Sequence, residues 1–364
     1  MSSYKPRVNS WHRQKPDKPA KGSRNGIAAV LIVKNEEEVL ERCLKSLDRV
    51  DQIVIADTGS TDRTVEIAKS FTSDVEIAPK IEPFDFSVAR NFALQFVKQD
   101  WVLTIDADEV VKEGSIDIIR KAFWQKPKAV GFNVTFTLYD EKKENPGSLM
   151  KLKVFRHGRW DWKYRVHEVL ICNREPMTVE NLPEAVIEHI PSANKAARHQ
   201  QNLDLLQISV KESPEYVRNS RQLGMEFFAR EDWQSAAKYL KFYHDMVKTD
   251  RMDRSETLML LGRCHSCMGR YDMAEQFFDD ALQEAPERRE ILYYKAIGLI
   301  KVMRLDDAIE TIEKAFAIPA TAKPDFHLNV QGVWDGSALQ DVLDFCNGEN
   351  ARVQAALEER KAAK

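Results

Sequence analysis

The chain has 364 residues, 43% of them apolar and 30% charged, with a formal net charge of −3. That length carries two domains and a sizeable core, and the near-neutral balance excludes a general polyanion binder. The sequence has no apolar run of about 18 residues to span a bilayer and no apolar segment after its N-terminal charges to act as a secretory signal. The five cysteines (Cys43, Cys172, Cys264, Cys267 and Cys346) form no framework, as in a reduced cytosol, so a cytoplasmic location is expected.

Residues 1–25 read as a disordered basic arm. Lys5, Arg7, Arg13, Lys15, Lys18, Lys21 and Arg24 face a single acid, Asp17, among Pro and Ser without apolar period. A solubilising role is the bland reading; contact with nucleic acid or an anionic membrane is the other.

Residues 26–200 read as one domain, whose first part, 26–110, alternates between strand and helix patterns. Ile27–Val33 is a continuous apolar run, as in a strand buried on both faces. Asn35 then caps a helix that opens Glu36-Glu37-Glu38 and buries Val39, Leu40, Cys43, Leu44 and Leu47. Gln52–Ala56 is a second strand, running into Asp57-Thr58-Gly59-Ser60-Thr61-Asp62. A helix from Thr61 or Asp62 carries Val65, Ala68 and Phe71 on one side. Asp74–Ala78 is a short strand, and Asp85 starts a helix with Val88, Phe92, Phe96 and Val97 inward. Trp101–Ile105 runs into Asp106-Ala107-Asp108-Glu109. Such alternation means βαβ units and a largely parallel, Rossmann-like sheet.

In an open parallel sheet the ligand crevice lies beyond the carboxyl ends of the strands. An acid–x–acid tip there offers hard oxygen ligands to a divalent cation, which in turn holds phosphate. This is the outline of a nucleotide-sugar site.

Farther on, Val130–Leu138 and Lys151–Arg156 read as strands joined through a turn at Glu144-Asn145-Pro146-Gly147. Trp160, Trp162 and Tyr164 alternate up to Val166-His167-Glu168, and Ala185–Ile190 ends in Glu188-His189. A mixed or antiparallel extension of the sheet is expected over one side of the site.

Residues 201–320 turn helical and repetitive. Leu258, Gly262, His265, Ala274, Phe278, Ala281 and Pro286 have tetratricopeptide spacing, whose period is about 34 residues. Leu292, Ala296, Leu299, Ala308, Ile312 and Ala315 repeat it, and Gly224, Phe227, Ala236 and Leu240 form an earlier, weaker copy. Such stacks are packing or docking surfaces, for an acceptor or a second copy of the chain. Cys264-His265-Ser266-Cys267 resembles half a zinc site, but it lies within a repeat and has no second pair nearby, so packing is its reading. Residues 321–364 are expected to form a helical tail.

In Val33-Lys34-Asn35-Glu36, Asp57–Thr64, Phe86-Ser87-Val88-Ala89-Arg90-Asn91 and Asp106–Glu109, in that order, the first 190 residues resemble the inverting family 2 glycosyltransferases of the GT-A fold. Phe155-Arg156 with Arg165-Val166-His167-Glu168 is similar to the bacterial subgroup with C-terminal tetratricopeptide repeats. The resemblance implies an α/β GT-A domain followed by an all-α repeat domain. It also implies Mn²⁺ or Mg²⁺ and a nucleotide-sugar donor, a UDP-sugar first. Asp108 would hold the metal, with Asp106 beside it and near the ribose, and His189 as a third ligand. Asn35, Glu36 and Asp57 would line the nucleotide pocket, with Arg90 near the base or the phosphates. An Asp57 that simply folds a tight turn is the alternative.

Inversion needs a base for the acceptor's proton. Glu168 is the candidate, and His167 either positions it or binds a donor phosphate, although the family places its catalytic acid in a Glu-Asp pair farther downstream. Trp160, Trp162 and Tyr164 either stack on a sugar or pack.

Two other readings share these residues. A sugar nucleotidylyltransferase usually shows a Gly-rich basic loop after its first strand, whereas Lys34–Glu38 has no glycine. A non-catalytic scaffold would have no use for the full set Asp57, Asp106, Asp108, Glu168 and His189. The sequence leaves the donor sugar open, and an envelope glycan, a protein or a modified DNA base all remain as acceptors. A base in duplex DNA would have to be flipped out.

Overall fold

The structure is a computed structural model that describes residues 25–139, 147–175, 177–190, 196–248, 250–319, 333 and 335–362. The basic arm, apart from its last residue, and the turn at Glu144-Asn145-Pro146 lie outside them. The chain divides into two compact units, residues 1–213 and 214–364. The expected boundary at 200/201 falls inside a helix of the first unit.

In the first unit, β1 (Ile27–Val33) is buried along almost its whole length, as its unbroken apolar run requires. It is followed by α1 (Leu40–Lys45), β2 (Gln52–Asp57), α2 (Thr64–Phe71), β3 (Val75–Ile77), α3 (Phe86–Leu94) and β4 (Trp101–Thr104). Next come β5 (Glu109–Val111), α4 (Ser115–Gln125), β6 (Gly131–Leu138), β7 (Gly147–Arg156), β8 (Trp160–Lys163), β9 (Val169–Cys172), β10 (Val179–His189) and α5 (Ala196–Glu212).

Eight strands form one sheet in the order β3-β2-β1-β4-β7-β6-β10-β5. β1 to β4 run parallel to their sheet neighbours among themselves. β7 is antiparallel to both β4 and β6, β10 is parallel to β6, and β5 is antiparallel to β10. This is the mixed extension that the sequence implies.

The period of two along β1 sorts its side chains. Ile27, Ala29, Leu31 and Val33 join the core under α1 and α4, whereas Ala28 and Val30 join the core under α3. Trp101 stacks on Phe123 of α4 with ring centroids 4.2 Å apart.

Two helix starts differ from expectation. Asn35 does not cap α1. Its backbone is left-handed (φ 54°), a region Asn tolerates, and Val39 and Leu40 donate to the Glu36 carbonyl in a turn before the helix begins. α2 begins at Thr64, whose N–H donates to Asp62. Asp85 does cap α3, accepting from the Val88 N–H at 3.1 Å. Val88 itself is 42% exposed, because Ala89 and Ala93 make the inward stripe. Trp160 is buried, its Nε1–H donating to the Val130 carbonyl at 2.9 Å, so packing is its role.

The second unit is built of helices. α6 (Arg218–Ala229) pairs with α7 (Trp233–Met246), α8 (Arg251–Cys267) with α9 (Tyr271–Glu284), and α10 (Arg289–Lys301) with α11 (Leu305–Ala317). α12 (Ser337–Ala362) packs Leu339, Val342 and Cys346 into the core of the last pair. The small residues of the repeat pattern, Ala236, Ala274, Ala281, Ala296, Ala308 and Ala315, are all buried. Cys264 is buried within α8, and no cluster of three metal-ligating side chains occurs among the described residues. All five cysteines are free. No helix among the described residues is long and apolar enough to cross a membrane.

Two glycines separate close packing from open space. A Cβ at Gly262 would lie 2.6 Å from Cε1 of the buried Phe278, whereas one at Gly298 would meet nothing nearer than Ser266 Oγ at 4.0 Å. Over-packing costs about 1–3 kcal/mol, and the better helix propensity of Ala returns about 1 kcal/mol. Gly262→Ala is therefore expected to lower the melting temperature and Gly298→Ala to leave it unchanged or raise it, in paired thermal melts.

Candidate active site

The chemistry-bearing residues gather where β4 ends. Ile105 donates to the Val30 carbonyl, which ties the segment after β4 to β1. Asp106, Ala107 and Asp108 then fill a turn before β5 begins at Glu109. That turn closes on itself: Glu109 N–H donates to the Asp106 carbonyl, and Asp106 N–H donates to Glu109 Oε2, both at 3.0 Å.

Arg90, from α3, reaches this turn. Its Nη2 donates to Asp106 Oδ1 at 2.8 Å and its Nε to Glu168 Oε1 at 2.7 Å, and its guanidinium lies 4.9 Å from the centre of the Trp162 ring. Three segments distant in sequence meet at one side chain. Burial alone would lower the Arg90 pKa, but the charges of Asp106 and Glu168 outweigh it and raise it. Burial likewise opposes ionisation of Asp106, yet Arg90, with Lys153 behind it, holds its carboxyl well below the usual range.

Asp108 faces away from this cluster. Its Oδ2 lies 3.2 Å from His189 Nε2, at the end of β10. The backbone fixes the pair: His189 is the register partner of Glu109, and Ile190 N–H donates to the Asp108 carbonyl at 2.9 Å. The expected Asp106–Asp108–His189 triad is thus assembled as a pair, with Asp106 turned to Arg90, whose charge neutralises it. Asp108 and His189 keep 20% and 29% of their side-chain surfaces exposed. A carboxylate and an imidazole this close could together hold a divalent cation, and the carboxylate is the donor that suits Mg²⁺ or Mn²⁺.

The loops after β1 and β2 are cross-linked. Asn35 N–H donates to Ser60 Oγ, Asn35 Oδ1 accepts from Thr61 N–H, and Glu36 N–H donates to Thr64 Oγ1. Asp57 is 2% exposed, and its carboxylate accepts from the N–H groups of Gly59 and Ser60. Gly59 has φ 101°, a conformation this turn needs and glycine supplies. In this arrangement Asp57 shapes the loop through both of its carboxylate oxygens.

Glu168 lies between β8 and β9, its side chain 12% exposed. His167 beside it is exposed, with a left-handed backbone (φ 50°) that is uncommon outside glycine. Arg165 clamps this stretch, donating to the carbonyls of Pro83 and Phe84 and to both oxygens of Glu212 on α5.

Sequence reasoning passed over two lysines. Lys153 Nζ lies 2.7 and 2.6 Å from the two oxygens of Glu109, with 3% and 1% of the side chains exposed. Burial raises the Glu109 pKa, as does the charge of Asp106, against the pull of Lys153. Lys151 places its ammonium 4.4 Å from the centre of the Phe136 ring and has no ion pair among the described residues. The signal was present: charged residues two apart on a strand point to one face.

With this geometry in view, comparison with known proteins places it. Residues 28–176 match the Glycosyl transferase family 2 model. They form a family 2 glycosyltransferase domain. A TPR repeat-containing protein of Synechococcus elongatus is 28% identical over 276 residues, covering 71% of this chain and 66% of the relative. LpsC of Rhizobium meliloti, a lipopolysaccharide core biosynthesis glycosyltransferase, is 31% identical over 153 residues, covering 40% of this chain and 57% of LpsC. The chain therefore spans less than two thirds of each of these relatives. The prophage-derived glycosyltransferase SunS of Bacillus subtilis is 26% identical over 294 residues, covering 76% of this chain and 68% of SunS. Among solved structures, residues 1–349 of S. aureus TarS align with a TM-score of 0.43 at 13% identity, covering 71% of this chain and 91% of that one.

The Arg90 cluster generates a stability prediction in this domain. Breaking a buried pair typically costs 3–5 kcal/mol. With Asp106 36% exposed, Arg90→Met is expected to cost less, about 1–3 kcal/mol at pH 7. A carboxyl whose pKa is depressed by folding stabilises above its unfolded value, about 3.9, and that contribution fades as the pH falls below it. Urea melts at pH 7 and pH 3 should show the gap between wild type and variant shrinking in acid. A gap that stays constant would mean that Asp106 is not held by Arg90.

Proposed function

We propose that the protein is a metal-dependent, inverting glycosyltransferase that moves a hexose from a nucleotide-sugar donor, a UDP-sugar first, to an acceptor nucleophile. The observation that carries this reading is the Asp108–His189 pair beside the Arg90–Asp106–Glu168 cluster, at the carboxyl edge of the sheet; of these five residues all but His189 fall within the family 2 match. Mn²⁺ or Mg²⁺ held by Asp108 and His189 would supply Lewis-acid charge to the donor diphosphate. The domain's resemblance to its family supports the metal and the donor class.

In the reaction, the acceptor oxygen forms a bond to the anomeric carbon as the bond from that carbon to the phosphate oxygen breaks. The nucleoside diphosphate departs with the electron pair. Glu168 takes the acceptor's proton, held in place by Arg90 Nε on Oε1, and His167 flanks it. Lys151, without a carboxylate partner among the described residues and within electrostatic reach of Asp106, adds positive charge for the departing diphosphate. The cross-linked loops after β1 and β2 carry Asn35, Glu36 and Asp57 to the nucleotide side of the crevice.

Among acceptors we favour an envelope glycan, since the similar LpsC acts in lipopolysaccharide core biosynthesis; a protein or a modified DNA base are the other classes. The repeats would help to dock that acceptor, and the free thiols fit a cytoplasmic enzyme.

Calorimetric titration of UDP with Mn²⁺ tests the donor site. Wild type is expected to bind, and Asp108→Ala and His189→Ala to bind at least about tenfold more weakly. Folded wild type that binds no nucleoside diphosphate, with or without metal, would sink the proposal. Glu168→Gln is expected to lower kcat by about 10²–10⁴ with UDP affinity nearly unchanged; a variant that turns over normally would remove Glu168 as the base.

A further inference from the structure

Glu109 and Lys153 make a fully desolvated ion pair directly behind the aspartates. Taking both charges out of water costs several kcal/mol per ion, and the mutual attraction only roughly repays it. Well-packed apolar residues in such places are often as stable or more so. Energy is therefore a poor account of why charges sit here, and geometry is a better one.

Glu109 is tied to three residues. Both of its oxygens accept from Lys153 Nζ on β7, and Oε2 also accepts from the Asp106 N–H. Its own N–H closes the turn on the Asp106 carbonyl. Through its backbone it is the register partner of His189. One residue thus ties the Asp106 main chain, the strand bearing His189 and the neighbouring β7 together. Asp106 points to Arg90 and Asp108 to His189, and the turn that carries both is closed at both ends.

We propose that the buried Lys153–Glu109 pair is a positioning device, which holds the Glu109 carboxylate as an acceptor for the Asp106 N–H and so sets the directions of the Asp106 and Asp108 carboxylates. Lys153 fixes the Glu109 rotamer, and Glu109 fixes the turn. Neither residue touches the reacting atoms. The proposal rests on the donor-site reading only for its functional consequence; the geometry it asserts concerns the free protein.

Two double variants separate hydrogen bonding from charge. Glu109→Leu/Lys153→Met removes both charges and the acceptor. Glu109→Gln/Lys153→Met removes both charges and keeps a carbonyl oxygen for the Asp106 N–H. Three quantities are measured on the full chain: melting temperature, hydrogen exchange of the Asp106 amide without nucleotide, and UDP affinity with Mn²⁺.

The Leu/Met variant is expected to melt within a few degrees of wild type or above it. Its Asp106 amide should exchange at least about tenfold faster, and its UDP affinity should fall by about 10–100-fold, the range seen when outer supports of a metal site are lost. The Gln/Met variant should recover both to near the wild-type values. A Leu/Met variant that fails to fold would show the pair to be a stabilising element, and one with wild-type exchange would show that it positions nothing; either overturns the proposal. So does absence of rescue by Gln/Met, whether through unfolding or through fast exchange. If wild type itself binds no UDP, the donor-site reading fails, and the amide exchange still decides the positioning role.

Discussion

A buried guanidinium shared by two carboxylates organises the first unit. Arg90 meets Asp106 through Nη2 and Glu168 through Nε, so that α3, the end of β4 and the segment between β8 and β9 converge on one planar group. Only an arginine does this. Its donors are fixed in a fork, and it stays charged even when desolvated, whereas a lysine would present one strongly hydrated point and could lose its proton. The Trp162 face beneath the guanidinium adds a contact that a point charge would use less well. Burying a positive charge here is tolerable because both carboxylates accompany it, and each carboxylate is oriented by the same act.

The sheet order explains why these groups can meet. β4 is central, flanked by the parallel β1 and the antiparallel β7. On the β7 side the strands β6, β10 and β5 fold back, so His189 at the end of β10 arrives beside Asp108 after β4. The antiparallel β7 also brings Lys153 behind Glu109 from a strand running the opposite way to β4. A purely parallel sheet would place only strand ends and loops at this edge; the mixed half lets side chains from within a strand support them.

What was legible in the sequence follows physical range. The apolar run of β1 and the tip Asp106-Ala107-Asp108 are local signals, and the structure has both in the mainly parallel sheet they implied, the tip directly after β4. Asp85 as the α3 cap is likewise local, a side chain answering an N–H three residues on. The start of α1 was misplaced, since Asn35 can cap a helix or adopt a left-handed turn. The choice depends on Ser60 and Thr61, which reach it from another loop. The direction in which Asp106 points was also beyond local reading, because Arg90 arrives from another element. Lys151 and Lys153 had a periodic signal, but a charged pair on a strand reads as surface until its buried partner is known. In the repeats, by contrast, spacing alone located Gly262, Ala274 and Phe278, because each packs against a helix close by in sequence.

The two clusters at the sheet edge differ in what solvent may do to them. Lys153–Glu109 is sealed, while the side chains of Asp106, Asp108 and His189 keep 36%, 20% and 29% of their surfaces open. Water and ions can reorganise the outer groups at little cost. The inner pair cannot relax in that way, since separating its charges would leave each one unpaired in a medium of low polarity. A sealed layer thus lies beneath an open one. That division of labour, more than the number of charges, lets the outer side chains respond to solvent while the turn beneath them keeps its hydrogen bonds.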